Sequence, residues 1–225
     1  TWNQAQIIEV SALGNDVDQG DTYLATVDHT IHSDLDEAYQ LGVGPAATIE
    51  IVDDDYAHAV LSAQQITIKE GESANFSFAL GSRPNGANST IVVMNVTRIG
   101  PHTSVDLTLA EPDRALFARS AAASVYWEEK LTIHVAASAN VWDEPNAHFQ
   151  VVLAVESQDD RYDGMTTLVN VTVVDDDDAA VSTLVPAGGL EVVEAGGGRL
   201  YTLSLESKPV ADVRVGVYFA GGILV

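Results

Sequence analysis

The chain has 225 residues, no cysteine and a formal net charge of −23, from 33 acidic against 10 basic side chains. That balance excludes the basic footprint which nucleic acid or an anionic membrane surface requires, and makes cations the natural complement. A hydrophobic share of 46% suffices for packed cores, the absence of cysteine excludes disulfides and thiolate zinc sites, and no apolar run is long enough to span a bilayer.

In chain order, the sequence opens mid-pattern and without methionine, so we expect a segment of a longer protein. The run DVDQGD at 16–21 has some EF-hand character, but its glycine comes one place early and position twelve is Val27 instead of a bidentate glutamate. It reads as a strand-connecting loop whose Asp16 and Asp18 can still contribute to a metal site. His29 and His32 read as ordinary histidines on a strand or its edge. The glycine-rich GVGPAA at 42–47 precedes the strand-like ATIEIV, where a dinucleotide site needs a helix. That strand alternates β-branched and polar residues and ends on Asp53, Asp54 and Asp55.

Seven strand candidates follow: 58–69 with a break at Ala63, 74–80, 90–98, 104–109, 129–136, 148–155 and 167–174. Turn-rich stretches such as GSRPNGANS and QDDRYDG separate them. The alanine-rich 115–124 is the one place where a short helical turn is expected. The last strand runs into Asp175, Asp176, Asp177 and Asp178. Like charges packed so closely repel by ~1 kcal/mol per pair even in water, so each aspartate run needs open solvent or a cation. Hard divalent ions, which take six to eight oxygens, are the chemistry that clustered carboxylates serve.

The aspartate runs belong to an internal repeat. Trp2 and Trp127 open similar stretches 125 residues apart, and FSFALGSRP at 76–84 matches YTLSLESKP at 201–209 at the same spacing. HSDLDEAY at 32–39 resembles ESQDDRY at 156–162. A period near 120 residues is domain-sized. The chain therefore divides into the back half of one unit (1–55), a complete unit (56–178) and the front half of a third (179–225). Seven strands per unit predict an all-β fold of tandem immunoglobulin-like antiparallel sandwiches.

With the pair Glu70–Gly71 early in the unit, Asp143–Glu144 before the strand HFQVVL, a tryptophan-led strand and a closing DDD, the chain resembles the Calx-beta domain family. The resemblance implies a seven-stranded sandwich with Ca²⁺ held by loops at one end. It implies ligand positions at Glu70, Asp106, Asp143, Glu144, Asp175, Asp176 and Asp177, and in the earlier copy at Asp16, Asp18, Asp53, Asp54 and Asp55. Where calcium-binding members carry an aspartate pair before the late loop, this unit has Ala139 and Asn140, which implies fewer or weaker ions. Glu194 is the third unit's counterpart of Glu70.

The expected function is a non-enzymatic, calcium-binding structural or adhesive repeat, with Ca²⁺ stiffening the junctions. Alternatives are a calcium-sensing domain pair of a transporter and accessory domains of a larger enzyme. Expected partners are neighbouring repeats of the same chain, and beyond them other copies in a fibre or cell-surface ligands. No nucleic acid and no membrane contact are expected. Four N-x-[ST] acceptors, at Asn75, Asn88, Asn95 and Asn170, point to an extracellular address. Asn75 lies opposite Phe76, Phe78 and Leu80 on its strand. The two half-units are expected to be completed by further sequence of the parent chain, with head-to-tail completion between copies as the alternative.

Overall fold

The computed structural model describes residues 3–40, 42–85, 90–110, 113–117 and 126–218. Alternating sequence becomes strand throughout. The elements are β1 (Thr22–Val27), a 3-10 turn (Glu37–Tyr39), β2 (Ala47–Val52), β3 (Ala59–Leu61), β4 (Gln65–Lys69) and β5 (Ser73–Leu80). Then come β6 (Thr90–Ile99), β7 (Leu107–Leu109), β8 (Arg114–Phe117), β9 (Leu131–Ala137), β10 (Ala147–Glu156), β11 (Thr166–Val174), β12 (Val181–Leu184) and β13 (Thr202–Leu205). Among the described residues there is no α-helix, and none that could cross a membrane.

Strands β3 to β11 form a two-sheet sandwich, with orders β4-β11-β10-β6-β8 and β3-β5-β9-β7. This is the arrangement of an immunoglobulin-like domain, in which the first strand is shared between the sheets. The sharing happens at Ser62–Gln64: β3 pairs with β5 in one sheet, and β4 then pairs with β11 in the other. Pairing is antiparallel everywhere except β4–β11, which is parallel. The period-2 pattern sends Phe149, Val151, Leu153 and Val155 of β10 inward, with Val169, Val171 and Val173 of β11 beside them. Phe76, Phe78 and Leu80 of β5 and Ile133 and Val135 of β9 face them from the second sheet. Phe78 meets Phe117 edge to face across the layer, with ring centroids 5.7 Å apart.

The alanine-rich stretch departs from expectation. Ala115 and Phe117 belong to β8, an edge strand registered Val92↔Ala115 and Thr90↔Phe117 on β6. Burial of both side chains against the core outweighs the local helix preference of alanine. The remainder of that stretch, 118–125, and Trp2 lie outside the described residues.

The sandwich is flanked by two antiparallel pairs, β1–β2 and β12–β13. The second reproduces the first pairing of the sandwich residue for residue: Ala59↔Leu80 and Leu61↔Phe78 recur as Val181↔Leu205 and Thr183↔Leu203. The turn after β4 recurs as well. Gly71 has φ +71°, and Ala195 takes the same left-handed conformation at φ +59°.

One tie across the sandwich comes from the turn after β10. Tyr162 is fully buried, and its hydroxyl donates to the Ser82 carbonyl at 2.7 Å while accepting from the Ser82 amide at 2.8 Å. The Ser82 hydroxyl lies 3.0 Å away, and Asp159 Oδ2 accepts from the Asn85 amide at 2.7 Å. Tyr162→Phe leaves the buried Ser82 amide without a partner, and we expect a loss of about 1–3 kcal/mol in urea unfolding of the sandwich. Tyr39→Phe, at the equivalent but exposed turn, should leave the same transition unmoved at high dilution.

Candidate metal centre

Parallel pairing of β4 with β11 places the site. Their register, Val174↔Lys69, makes both strands end together, so Glu70 emerges beside Asp175, Asp176 and Asp177. The Glu70 amide donates to the Val174 carbonyl at 3.1 Å, closing the ladder at its last rung. Beyond that rung, carboxylate oxygens of Glu70, Asp176 and Asp177 lie within 4.8 Å of one another. Glu70 is buried.

The loop between β9 and β10 supplies the other wall. Asn140 donates from both its amides to Glu70 Oε2, at 2.7 Å from the side chain and 3.2 Å from the backbone, and is oriented by the Trp142 amide on its Oδ1 at 2.6 Å. Asp175 is held by its own amide on Asn146 Oδ1 and by the Glu144 backbone amide on its carboxylate. Asp143 turns outward and accepts from the Ala179 amide at 3.0 Å. The Asp175 Oδ1 and Asp177 Oδ2 atoms are buried with no hydrogen-bond partner.

Two of the expected residues do something else. Glu144 directs its side chain away and accepts from Ser104 Oγ at 2.6 Å and the Ser104 amide at 2.8 Å, which hold it below the usual carboxylate range. Asp106 is exposed and pairs with Arg98 at 3.3 Å.

The preceding joint is built alike. Oxygens of Asp53, Asp54 and Asp55 lie within 4.8 Å of one another, and Asp55 Oδ2 is buried without a partner. Burial and then the neighbouring Asp54, Asp53, Asp16 and Asp18 push the Asp55 carboxyl upward. Asp53 accepts from the Gln19 amide at 2.6 Å. Asp18 is already satisfied by the Ala57 amide (2.8 Å), the Gly20 amide (2.9 Å) and Arg161 Nε (2.9 Å). The Ala57 amide above all keeps it a carboxylate.

Four hydrogen bonds occur once at each joint. Val17 N to Asn15 Oδ1 (2.7 Å) repeats as Trp142 N to Asn140 Oδ1 (2.6 Å), and Ala57 N to Asp18 Oδ2 (2.8 Å) as Ala179 N to Asp143 Oδ2 (3.0 Å). Arg83 N to the Asp16 carbonyl (2.5 Å) repeats as Lys208 N to the Val141 carbonyl (2.6 Å). Gly81 N to the His58 carbonyl (2.8 Å) repeats as Glu206 N to the Ala180 carbonyl (2.9 Å). At this last contact the side chains exchange size. A Cβ on Gly81 would collide with the His58 ring, whereas the second joint has Glu206 and Ala180 at these two positions.

No family model matches the chain, and no curated protein does. Solved structures with partial likeness include the periplasmic chaperone SfaE, 8% identical over 53% of this chain and 57% of that one, at TM-score 0.39. Structures of the surface layer protein SbsC also match. Domains 1–6 are 12% identical over 83% of this chain and 29% of that one (TM-score 0.31), and domains 4 and 5 are 13% identical over 76% and 87% (TM-score 0.29). At these scores the matches carry no functional argument.

Burial, reinforced by Asp175, Asp176 and Asp177, raises Glu70 from 4.5 to about 7, against the opposing pull of the Asn140 amide. Below pH 4.5 the group is protonated in both folded and unfolded chains, and the shift has no effect. Between pH 4.5 and about 7 the unfolded chain ionises first, so the ion-free sandwich should lose stability as pH rises through that window. Urea midpoints measured in chelator across it should fall for the wild type and lose most of that slope in Glu70→Gln.

Proposed function

We propose that this chain is a calcium-binding structural module of a tandem array on a secreted or cell-surface protein, with no catalysis of its own. What supports the reading is the placement of the acids: both clusters sit where one unit passes into the next. Each is an all-oxygen set whose carboxylate atoms lie close enough together to share one ion bound at ~2.4 Å. The partnerless buried oxygens of Asp55, Asp175 and Asp177 are the atoms a cation would satisfy. Glu70, Asp175, Asp176 and Asp177 would hold one ion, and Asp53, Asp54 and Asp55 with Asp16 another. The Calx-beta resemblance implies these ligands as well, together with Asp106, Asp143, Glu144 and Asp18, whose side chains are engaged by other partners.

The ion's work here is mechanical. No glycine or proline separates β11 from β12, and the carboxylates of the linker repel one another. Neutralising them orders the linker and the loops that hydrogen-bond to it.

An ion that binds only the folded form adds about 2.7 kcal/mol at a hundredfold excess over its dissociation constant. Millimolar Ca²⁺ should therefore raise the melting temperature reversibly, with chelator restoring the original value. The double change Asp176→Asn with Asp177→Asn should remove the sandwich's share of the shift. Asp113→Asn, outside both clusters, should keep it. A melting temperature indifferent to calcium would refute the reading.

The extracellular address rests on the glycosylation acceptors. Asn75 and Asn95 are exposed on β5 and β6, Asn170 is half-buried and accepts from Gln150, and Asn88 lies outside the described residues. Mass spectrometry of natively sourced protein from a eukaryotic secretory pathway should find glycan on Asn75 and Asn95. Unmodified peptides at all four positions would remove this support.

A further inference from the structure

We propose that Arg161 and Asp18 form a latch between consecutive units, which holds the first joint in one orientation with no ion bound. The proposal does not rest on the calcium reading.

The gripping side is rigid. In the turn after β10, buried Asp159 accepts from the Arg161 amide on its side chain at 3.0 Å and from the Tyr162 amide on its carbonyl at 2.9 Å. Adjacent side chains then leave the turn in opposite directions. Tyr162 enters the core, and Arg161 reaches to the loop at 15–20 of the preceding unit. The Tyr162 hydroxyl and Asp159 Oδ2 tie the same turn to Ser82 and Asn85, so the turn and that loop form one body. Both parts of this body hold the preceding unit. The Arg83 amide donates to the Asp16 carbonyl at 2.5 Å, and Arg161 Nε donates to Asp18 Oδ1 at 2.9 Å.

The gripped side is shaped to be held. Asp18 is 8% exposed, a burial that an aspartate tolerates when its charge is answered. Its carboxylate receives the Gly20 amide of its own loop, the Ala57 amide of the linker and the Arg161 guanidinium. One side chain thus touches all three parts of the joint. Gly20 makes the approach possible: its φ is +102°, and a Cβ there would stand 2.9 Å from Arg161 Nη2. The latch is particular to this unit. The corresponding turn of the preceding unit repeats the side-chain bond, from the Ala38 amide to Asp36 at 3.0 Å, but places Ala38 where Arg161 stands. A unit with arginine at this position holds its predecessor through an ion pair, and a unit with alanine lacks that contact.

Because the chain has no cysteine, spin labels can be attached through Glu50→Cys and Thr132→Cys, at exposed positions of the two units. Pulsed electron spin resonance on the 225-residue chain in chelator should give one narrow distance distribution. Arg161→Ala and Asp18→Asn should each at least double its width. The double variant should be no broader than the broader single one, because both remove the same contact. Asp18→Asn lies outside the sandwich and should leave the sandwich's urea transition unmoved. A wild-type distribution that is broad in chelator and narrows only with calcium overturns the proposal. So does a narrow one that survives both single substitutions. A narrow distribution in a chain whose melting temperature ignores calcium would support the latch while refuting the calcium reading.

Discussion

The parallel pairing of β4 with β11 is the constraint on which the rest of this structure depends. A first strand confined to one sheet would leave Glu70 far from the end of β11. Splitting it at Ser62–Gln64 lets its second part lie alongside the last strand, pointing the same way. The acid that ends one strand and the acids that follow the other are then forced together. Their repulsion is tolerated because Asn140 satisfies Glu70 and because Glu70 holds a proton up to about pH 7. The cluster thus combines stored electrostatic strain with partnerless oxygens.

The joints differ in their details although their hydrogen bonds recur. Arg161 neutralises Asp18 at the first, whereas Asp143 at the second accepts from the Ala179 amide, and Lys208 is drawn over the Trp142 ring at 4.6 Å. The exchange of Gly81 beside His58 for Glu206 beside Ala180 shows the same contact solved twice with opposite volumes.

Much of the architecture was legible because it is periodic. Alternation located the strands, and the 125-residue spacing anticipated that the β3–β5 pairing recurs in β12–β13. The pairing of Glu70 with Asp176 and Asp177 came only through a family resemblance, since nothing in spacing tells that β4 runs parallel to β11. The role of Tyr162 was hidden in a stretch that reads as a connecting turn. A signal was available, however: Asp-x-x-Tyr occurs in both copies of that turn, at 36–39 and 159–162. Asp106 and Glu144 could not be sorted from the cluster by residue type, because a carboxylate bound to Arg98 or Ser104 looks the same in sequence as one facing an ion. Strand β8 was obscured by alanine, whose local preference gives no hint of a neighbouring strand edge.

The same parallel ladder decides how the sandwich responds to tension. Force carried along a chain of such units enters near Ala59 and leaves near Val174. It therefore pulls the first strand and the last in opposite directions along their own axes. The five registered residue pairs between β4 and β11 lie across that line, so they are loaded in shear and must fail together. An antiparallel hairpin pulled from its open end would unzip one rung at a time. This connectivity makes the sandwich stiff along the direction in which an array would be stretched, with its weakest direction perpendicular to it.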